Sequence, residues 1–499
     1  MHKYLWMIAL IILNGCMVGP DYQRPRNHIP DEWVPQPVVE EIEVSDEAPF
    51  TEWWEIFGDP LLTCYINLAA VYNNDVLVAE ANFRQARAIR MVTAAPFFPQ
   101  LAADFNGTRT SFSKNGPLFS ILPPTSTATS RPDNAATGAN SQFVAQVPQL
   151  QNLFNATLDL TWEIDLFGKT RRNIQSATAQ MQALCEQRNA QLITVIAEVA
   201  RNYIEIRSNQ EKLSLTNENI ELVESSAEII RNRFKAGLSN QLDLERIEAE
   251  LAQIRATIPS IEASLFSGIY ALSVLTGNLP ETLLEEMLPF KDLPQIPLEL
   301  AIGIRSDILR RRPDIRQTER QLAAATADIG VAVASFFPTI TLFGDEGFQS
   351  LKFSNLFSGR SNTWSYGGDV NLPIFQGGKL VGNLHATQAA QCAAAFTYKQ
   401  TVLVALQEAE GAFTAFMQDL RTTKQLEDSV GRNEHIVKLS NERYVKGLAS
   451  LTDLLDSERQ LISIQQNTLD AKTAALLDII KLYKALGGGW DSCRLGCQE

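Results

Sequence analysis

The sequence predicts an α+β membrane protein with a two-fold internal repeat. Very long α-helices form a periplasmic α-barrel, and four transmembrane β-strands per chain contribute to a trimeric twelve-stranded β-barrel. Three observations predict this class. First, Leu192, Ile196, Val199, Tyr203 and Ile206 step by four and three, a heptad seam on one helical face, and the seam returns 210 residues later as Val402, Leu406, Ala409, Phe413 and Phe416. Second, no proline lies between Pro148 and Pro259 or after Pro373, so two stretches of over 100 residues are free to be helical. Third, segments beside these stretches alternate apolar and polar residues with period two, as membrane strands do.

The chain begins with Lys3 and the apolar run Tyr4 to Leu13, too short to span a bilayer and suited to a signal peptide over 1–15. Leu13-Asn14-Gly15-Cys16 resembles a bacterial lipobox, in which Cys16 is acylated; an ordinary secretory peptide is the alternative. Met17 follows rather than Asp, which in lipoproteins implies sorting to the outer membrane. Residues 16–58 are rich in proline and acids and read as a lipid-anchored extended arm, with Trp53, Trp54 and Phe57 docking its end.

The first repeat, 59–279, holds a helix, a β-hairpin, a long helix and a further helix. The first helix starts at about Pro60 and runs to Ala95, before Pro96-Phe97-Phe98-Pro99. Leu101 to Thr108 then alternates. So does Asn155 to Leu166, with Thr157, Asp159, Thr161, Glu163 and Asp165 on its polar side. A long Ser/Thr/Pro/Asn-rich segment, about Ser113 to Asn152, joins the two strands. The long helix follows from Gly168 to Ala236, spanning roughly 100 Å at about 1.5 Å per residue. A proline-punctuated linker occupies 280–312. The second repeat, 313–486, again holds a helix, a hairpin (Thr339 to about Phe348, and Thr363 to Leu372), a long helix and a final helix. The turns repeat too: Arg233-Phe234-Lys235-Ala236-Gly237-Leu238 matches Arg443-Tyr444-Val445-Lys446-Gly447-Leu448, and Glu248 matches Glu458. Residues 487–499 form a tail carrying Cys493 and Cys497.

Four strands cannot close a barrel, and an open edge in lipid leaves backbone groups unpaired at several kcal/mol each. Identical chains must therefore share one barrel under cyclic symmetry. Two chains give a lumen filled by side chains, whereas three give room for a passage. Acids on the inner rows favour water, hence three chains. Asp104, Asp159, Glu163, Asp165, Asp345 and Asp369 are the candidate lumen residues, expected to favour cations. A half-buried soluble sheet would also alternate.

Net charge of −14 argues against nucleic acid as a partner. Four His and six scattered Cys supply no metal-ligand spacing, and no nucleophile–base arrangement or phosphate loop is evident, so neither a metal, a cofactor nor an enzymatic role is expected. No hydrophobic run reaches the 18 or more residues of a membrane-spanning helix.

Further motifs carry a family likeness. Gly19-Pro20-Asp21-Tyr22-Gln23-Arg24-Pro25 after Cys16, Trp53-Trp54, Phe57-Gly58-Asp59-Pro60-Leu61 and Arg312-Pro313-Asp314-Ile315 are four of them. Phe337-Pro338, Pro373-Ile374-Phe375, Gly377-Gly378, Leu454-Leu455-Asp456 and Leu486-Gly487-Gly488-Gly489-Trp490 complete the set. Together they resemble the TolC-like outer-membrane efflux channels, lipoprotein branch. The resemblance implies a homotrimeric exit duct of a tripartite efflux pump, in outer-membrane lipid. An inner-membrane transporter would drive it through a periplasmic adaptor (membrane fusion protein). It also places a closed aperture at the two glycine turns, with Asp456, Arg459, Asp453, Asp243 and Arg246 as gate residues; solvated helix-start acids are the alternative there. A channel for type I protein secretion shares the architecture. A pore-less lipid-anchored coiled-coil scaffold is the alternative of another class.

Overall fold

A computed structural model describes residues 17–26, 29–34, 43–45, 51–113, 150–297 and 299–488. The signal peptide, the lipidation candidate Cys16, most of the first inter-strand segment, and Cys493 and Cys497 lie outside the described residues.

In chain order the elements are β1 (Glu43–Ser45), α1 (Pro60–Tyr72), α2 (Asn74–Ala94), β2 (Gln100–Ser111), β3 (Leu150–Ile164), α3 (Lys169–Lys235), α4 (Gln241–Arg255) and α5 (Ile258–Leu275). After them come α6 (Leu284–Met287), β4 (Glu299–Ala301), α7 (Ile308–Arg311), α8 (Pro313–Ala334), β5 (Thr339–Ser350), β6 (Asn362–Asn371), α9 (Lys379–Val445) and α10 (Leu451–Leu486). The two long helices, α3 and α9, have 67 residues each and occupy the two proline-free stretches. The expected first helix is broken at Asn73. This residue leaves the helical region (ψ 128°), and its Oδ1 accepts from the backbone N–H of Asp75 and Val76 while its Nδ2 donates to Leu275 O. An asparagine that can cap from its side chain offers the backbone an alternative to continuous helix.

Contacts divide the chain into two compact units: Met1–Pro20 with Met91–Ile174 and Ile329–His385, and Asp21–Arg90 with Gln175–Asp328 and Ala386–Glu499. Each repeat supplies a hairpin to the first unit and long-helix segments to the second.

In the first unit β2, β3, β5 and β6 form one antiparallel sheet in that order. The register puts Leu101 opposite Leu160, Leu158 opposite Glu346, and Glu346 opposite Trp364, so one face carries Leu101, Phe105, Leu158, Leu160, Leu342, Trp364, Tyr366 and Val370, all exposed. Glu346, with the Tyr366 hydroxyl donating to it at 3.3 Å, is the acid on that apolar face. Twelve residues at about 3.3 Å each, tilted near 45°, climb roughly 28 Å, close to a hydrocarbon core. Within this unit the arm is fastened by its first residues: Val18 N–H donates to Phe167 O, and Arg172 donates to Val18 O and Gly19 O. Gly19 (φ +89°) presses on α8, where an added Cβ would lie 2.5 Å from Gly330 Cα.

The second unit is a helical body. Leu192, Ile196, Val199, Tyr203 and Ile206 of α3 share a core with Val402, Ala409, Phe413 and Phe416 of α9, joined by α1, α5 and α10. The repeated heptad seam is thus the seam that buries. Trp53, Trp54 and Phe57 are buried in the same core, with Trp53 stacked on Tyr483 at 5.5 Å. Asp59 joins the pieces: its carboxylate accepts from Leu61 N–H at the start of α1, from Lys291 Nζ and from Tyr203 Oη. Burial pushes its pKa up, but these donors outweigh burial and hold it below the usual carboxylate range. The linker is more ordered than its prolines predict, because β4 pairs in parallel with β1 of the arm. The last helix of the first repeat is split into α4 and α5, with Pro259 in the first turn of α5, whereas α10 is unbroken. The stretch Gln241–Leu275 also contains a window long and apolar enough to cross a membrane, which corrects the sequence count; Leu265, Ile269 and Leu272 of this stretch are buried in the helical core.

Candidate functional site

Two places answer to the predicted site residues, one in each unit. In the helical unit they cluster where α3 turns into α4 and α9 into α10. The two turns are built alike. Gly237 N–H donates to Phe234 O and Leu238 N–H to Arg233 O; Gly447 N–H donates to Tyr444 O and Leu448 N–H to Arg443 O. Both glycines have positive φ, +71° and +74°, as this pattern of helix termination requires. The next helix begins with a side-chain cap in each copy. Asn240 Oδ1 accepts from Asp243 N–H, and Ser450 with Asp453 forms a reciprocal capping box.

These caps assign Asp243 and Asp453 a local task. Asp243 accepts from Ser239 Oγ, and Asp453 accepts from Ser450 N–H. The Ser450 hydrogen bonds hold the Asp453 carboxyl below its ordinary value. Arg246 hydrogen-bonds Thr452 of α10 at 3.2 Å instead of pairing with Asp243 along its own helix. The expected Asp456–Arg459 pair is long, 3.8 Å, and exposed. Arg459 instead donates from Nε at 2.8 Å, and from Nη2, to Glu250 Oε2, joining α10 to α4. Arg233 joins α3 to α9, its guanidinium 4.9 Å over the Tyr444 ring and donating to Tyr444 O. Arg231 pairs with Glu248 at 2.7 Å.

Below these links lies an apolar core of Val223, Ala227 and Ile230 from α3, Ile247, Leu251 and Ile254 from α4, Tyr444, and Leu451, Leu454 and Leu455 from α10. Two acids, Glu250 and Glu458, are buried beside it, 7% and 2% exposed. Sequence reasoning passed over both as site residues. Glu458 Oε1 accepts from Ser226 Oγ at 2.6 Å, and Oε2 has no hydrogen-bond partner among the described residues. Burial above all, and then the negative charge of Glu250, push the Glu458 carboxyl up to about 7 against the pull of Ser226.

In the sheet unit the register brings five of the six predicted acids onto one face. Asp159 stands opposite Asp345, Glu163 opposite Thr341 and Thr341 opposite Asp369, and Asp104 opposite Thr157. Asp165 departs from the expectation. It lies past the end of β3 and accepts from the N–H groups of Thr170 and Arg171 and from Arg171 Nε. Its carboxylate therefore caps α3, where the helix N-terminus favours a negative charge. The sheet's outer strands, β2 and β6, each have one strand neighbour among the described residues. Such edges are incompatible with lipid unless another copy pairs with them. Among the described residues no cluster of His, Cys, Asp and Glu could hold a metal ion.

Comparison with known proteins fits this arrangement. The outer membrane efflux protein family matches residues 65–278 and 304–488. The toluene efflux pump outer membrane protein TtgC of Pseudomonas putida is 30% identical, the match covering 98% of this chain and 96% of the relative. Nodulation protein T of Rhizobium leguminosarum bv. trifolii is also 30% identical, over 98% of each chain. The solved outer-membrane channel OprN has a TM-score of 0.83 at 29% identity, covering 95% of this chain and all of that one. The likeness runs the length of the chain, through both repeats and both site regions, and sets the pore-less scaffold aside. With the duplicated helices, the edge-open sheet and this match, the chain belongs to the outer membrane efflux protein family, whose members are channels with the TolC-like fold in the outer membrane.

Proposed function

We propose that the chain is the passive exit duct of a tripartite efflux pump: a homotrimer whose three sheets close one twelve-stranded barrel. The duct is shut at its periplasmic end by the helix turns around Gly237 and Gly447. An inner-membrane transporter, acting through a periplasmic adaptor, supplies the drive, and Cys16 carries the lipid anchor. The observation that carries this reading is the four-stranded sheet whose outer edges are unpaired among the described residues, apolar on one face and lined by Asp104, Asp159, Glu163, Asp345 and Asp369 on the other. A row of carboxylates in a water-filled passage raises local cation concentration and repels anions. In this reading Asp456, Arg459 and Arg246 act at the closed end, with Asp243 and Asp453 holding the helix starts that carry them.

The test is electrical. Purified in detergent and reconstituted in planar bilayers, the protein is expected to run as a trimer and to conduct with a cation preference in a salt gradient. Replacing Asp159, Asp345 and Asp369 by Asn is expected to reduce that preference at least twofold. A monomer that stays soluble without detergent, or an anion preference in the unaltered protein, overturns the reading.

A further inference from the structure

We infer that Glu458 is a proton-operated latch on the closed end, completing the contact of α3, α4 and α10 when protonated and loosening it when ionised. This rests on the proposal that the glycine turns lie at the gate, and it adds a control that the gate residues alone do not provide.

The geometry leaves the carboxyl two unequal halves. Oε1 has Ser226 of α3; Oε2 is buried without a donor among the described residues. Glu458 sits four residues after Leu454 and three after Leu455, so it shares the face of α10 that enters the apolar core. The charged groups on the packed elements are committed elsewhere. On α3, Glu224 is paired with Arg255 and Arg231 with Glu248. On α4, Glu250 holds Arg459, and Arg246 bonds Thr452. On α10 itself, Asp456 lies 3.8 Å from Arg459. On α9, Tyr444 is taken by Arg233. Among the described residues no cation acts on Glu458, and the charge that does, Glu250, is negative.

The internal repeat supplies an independent comparison. Glu248 is the residue 210 positions before Glu458, and Arg231 pairs with it, holding its carboxyl below the ordinary value. The position 210 after Arg231 is Asn441, which carries no charge and whose own Oδ1 is buried without a partner among the described residues. The first copy thus keeps an ion pair where the second has a neutral amide and an acid held by the Ser226 hydroxyl alone.

The sign follows from linkage. With the carboxyl at about 7 in the folded protein, against an ordinary 4.5, the folded contact holds the extra proton between these values. The contact is strongest at the acid end of that window, weakens as pH rises through it, and is weakest above about 7.

Two readouts test this on the full-length protein. In planar bilayers, open probability is expected to rise at least threefold between pH 5.5 and 8.5. Glu458→Gln, neutral throughout, stays at the low-pH level, while Arg459→Ala raises the level yet keeps the pH step. Hydrogen exchange of residues 451–461, corrected for intrinsic rates, is expected to quicken at high pH in the unaltered protein and not in Glu458→Gln. Identical pH profiles for the two proteins in exchange overturn the latch. If no variant conducts at any pH, the duct reading fails, and exchange still decides the latch.

Discussion

Removing the Arg459 guanidinium is the most direct probe of the closed end. Arg459 and Glu250 lie 209 positions apart and tie α10 to α4 through two donors on one carboxylate oxygen. The side chains differ in exposure, 53% for Arg459 and 9% for Glu250. A fully desolvated charged hydrogen bond contributes about 1.5–3 kcal/mol, and a fully exposed pair about 0.2–1. With one partner half in water, solvent screening puts the link near the boundary, about 1 kcal/mol per protomer. Arg459→Ala also leaves the buried Glu250 carboxylate without its cation, which keeps the cost from falling to the exposed limit. At about 1.4 kcal/mol per tenfold, the closed-to-open ratio should fall roughly fivefold per protomer. Asp456→Ala, removing only the long and exposed contact, should change it less than about twofold.

Single-channel recording measures both variants, and a double-mutant cycle with Glu250→Ala isolates the pair. If the cycle is additive, or Arg459→Ala opens the channel no more often than the unaltered protein, the pair does not hold the closed state. The reasoning from the α4–α10 link would then be refuted.

Two other expectations follow from the structure. Asp165→Ala removes three hydrogen bonds at the start of α3 and should cost about 1–2 kcal/mol of stability in detergent denaturation. It should leave ion preference unchanged; a loss of cation preference like that expected on replacing Asp159, Asp345 and Asp369 would return Asp165 to the lumen. Gly19→Ala must place a Cβ against the Gly330 backbone at a positive φ, so the arm should detach there and become cleavable after Arg26 by trypsin at least tenfold faster. An unchanged cleavage rate would show that the Gly19–Gly330 approach does not hold the arm.

What was legible in the sequence was what period and punctuation encode. Helical seams, strand alternation and the two glycine turns are local patterns; the seams and turns appear where the residues place them, and the alternation does so as far as Ile164 of β3. The break at Asn73 was not legible, because an asparagine in a helix is ordinary until its side chain finds a partner, and one partner is Leu275, 202 positions away. The β1–β4 pairing was hidden for a similar reason: two three-residue strands have too little pattern to read, and they meet across more than 250 positions. Asp165 was grouped with the strand acids because alternation continues two residues past the strand, to Leu166, while the backbone has already turned toward α3.

The site residues needed a different signal, and the repeat held it. Arg233 meets Tyr444 at a separation of 211, Arg459 meets Glu250 at 209, and Arg246 meets Thr452 at 206. Each is close to the offset of 210, as expected when two copies of a helical pair stand side by side and equivalent levels face each other. Position 459 less 210 falls beside Glu250, so the partner of Arg459 could have been sought among the residues around 249 rather than along its own helix. The i, i+3 rule pointed to Asp456 because it considers one helix at a time. In a duplicated chain the offset is itself a contact rule, and it explains why the links at the two turns join different helices while Asp243 and Asp453 are left to the helix starts.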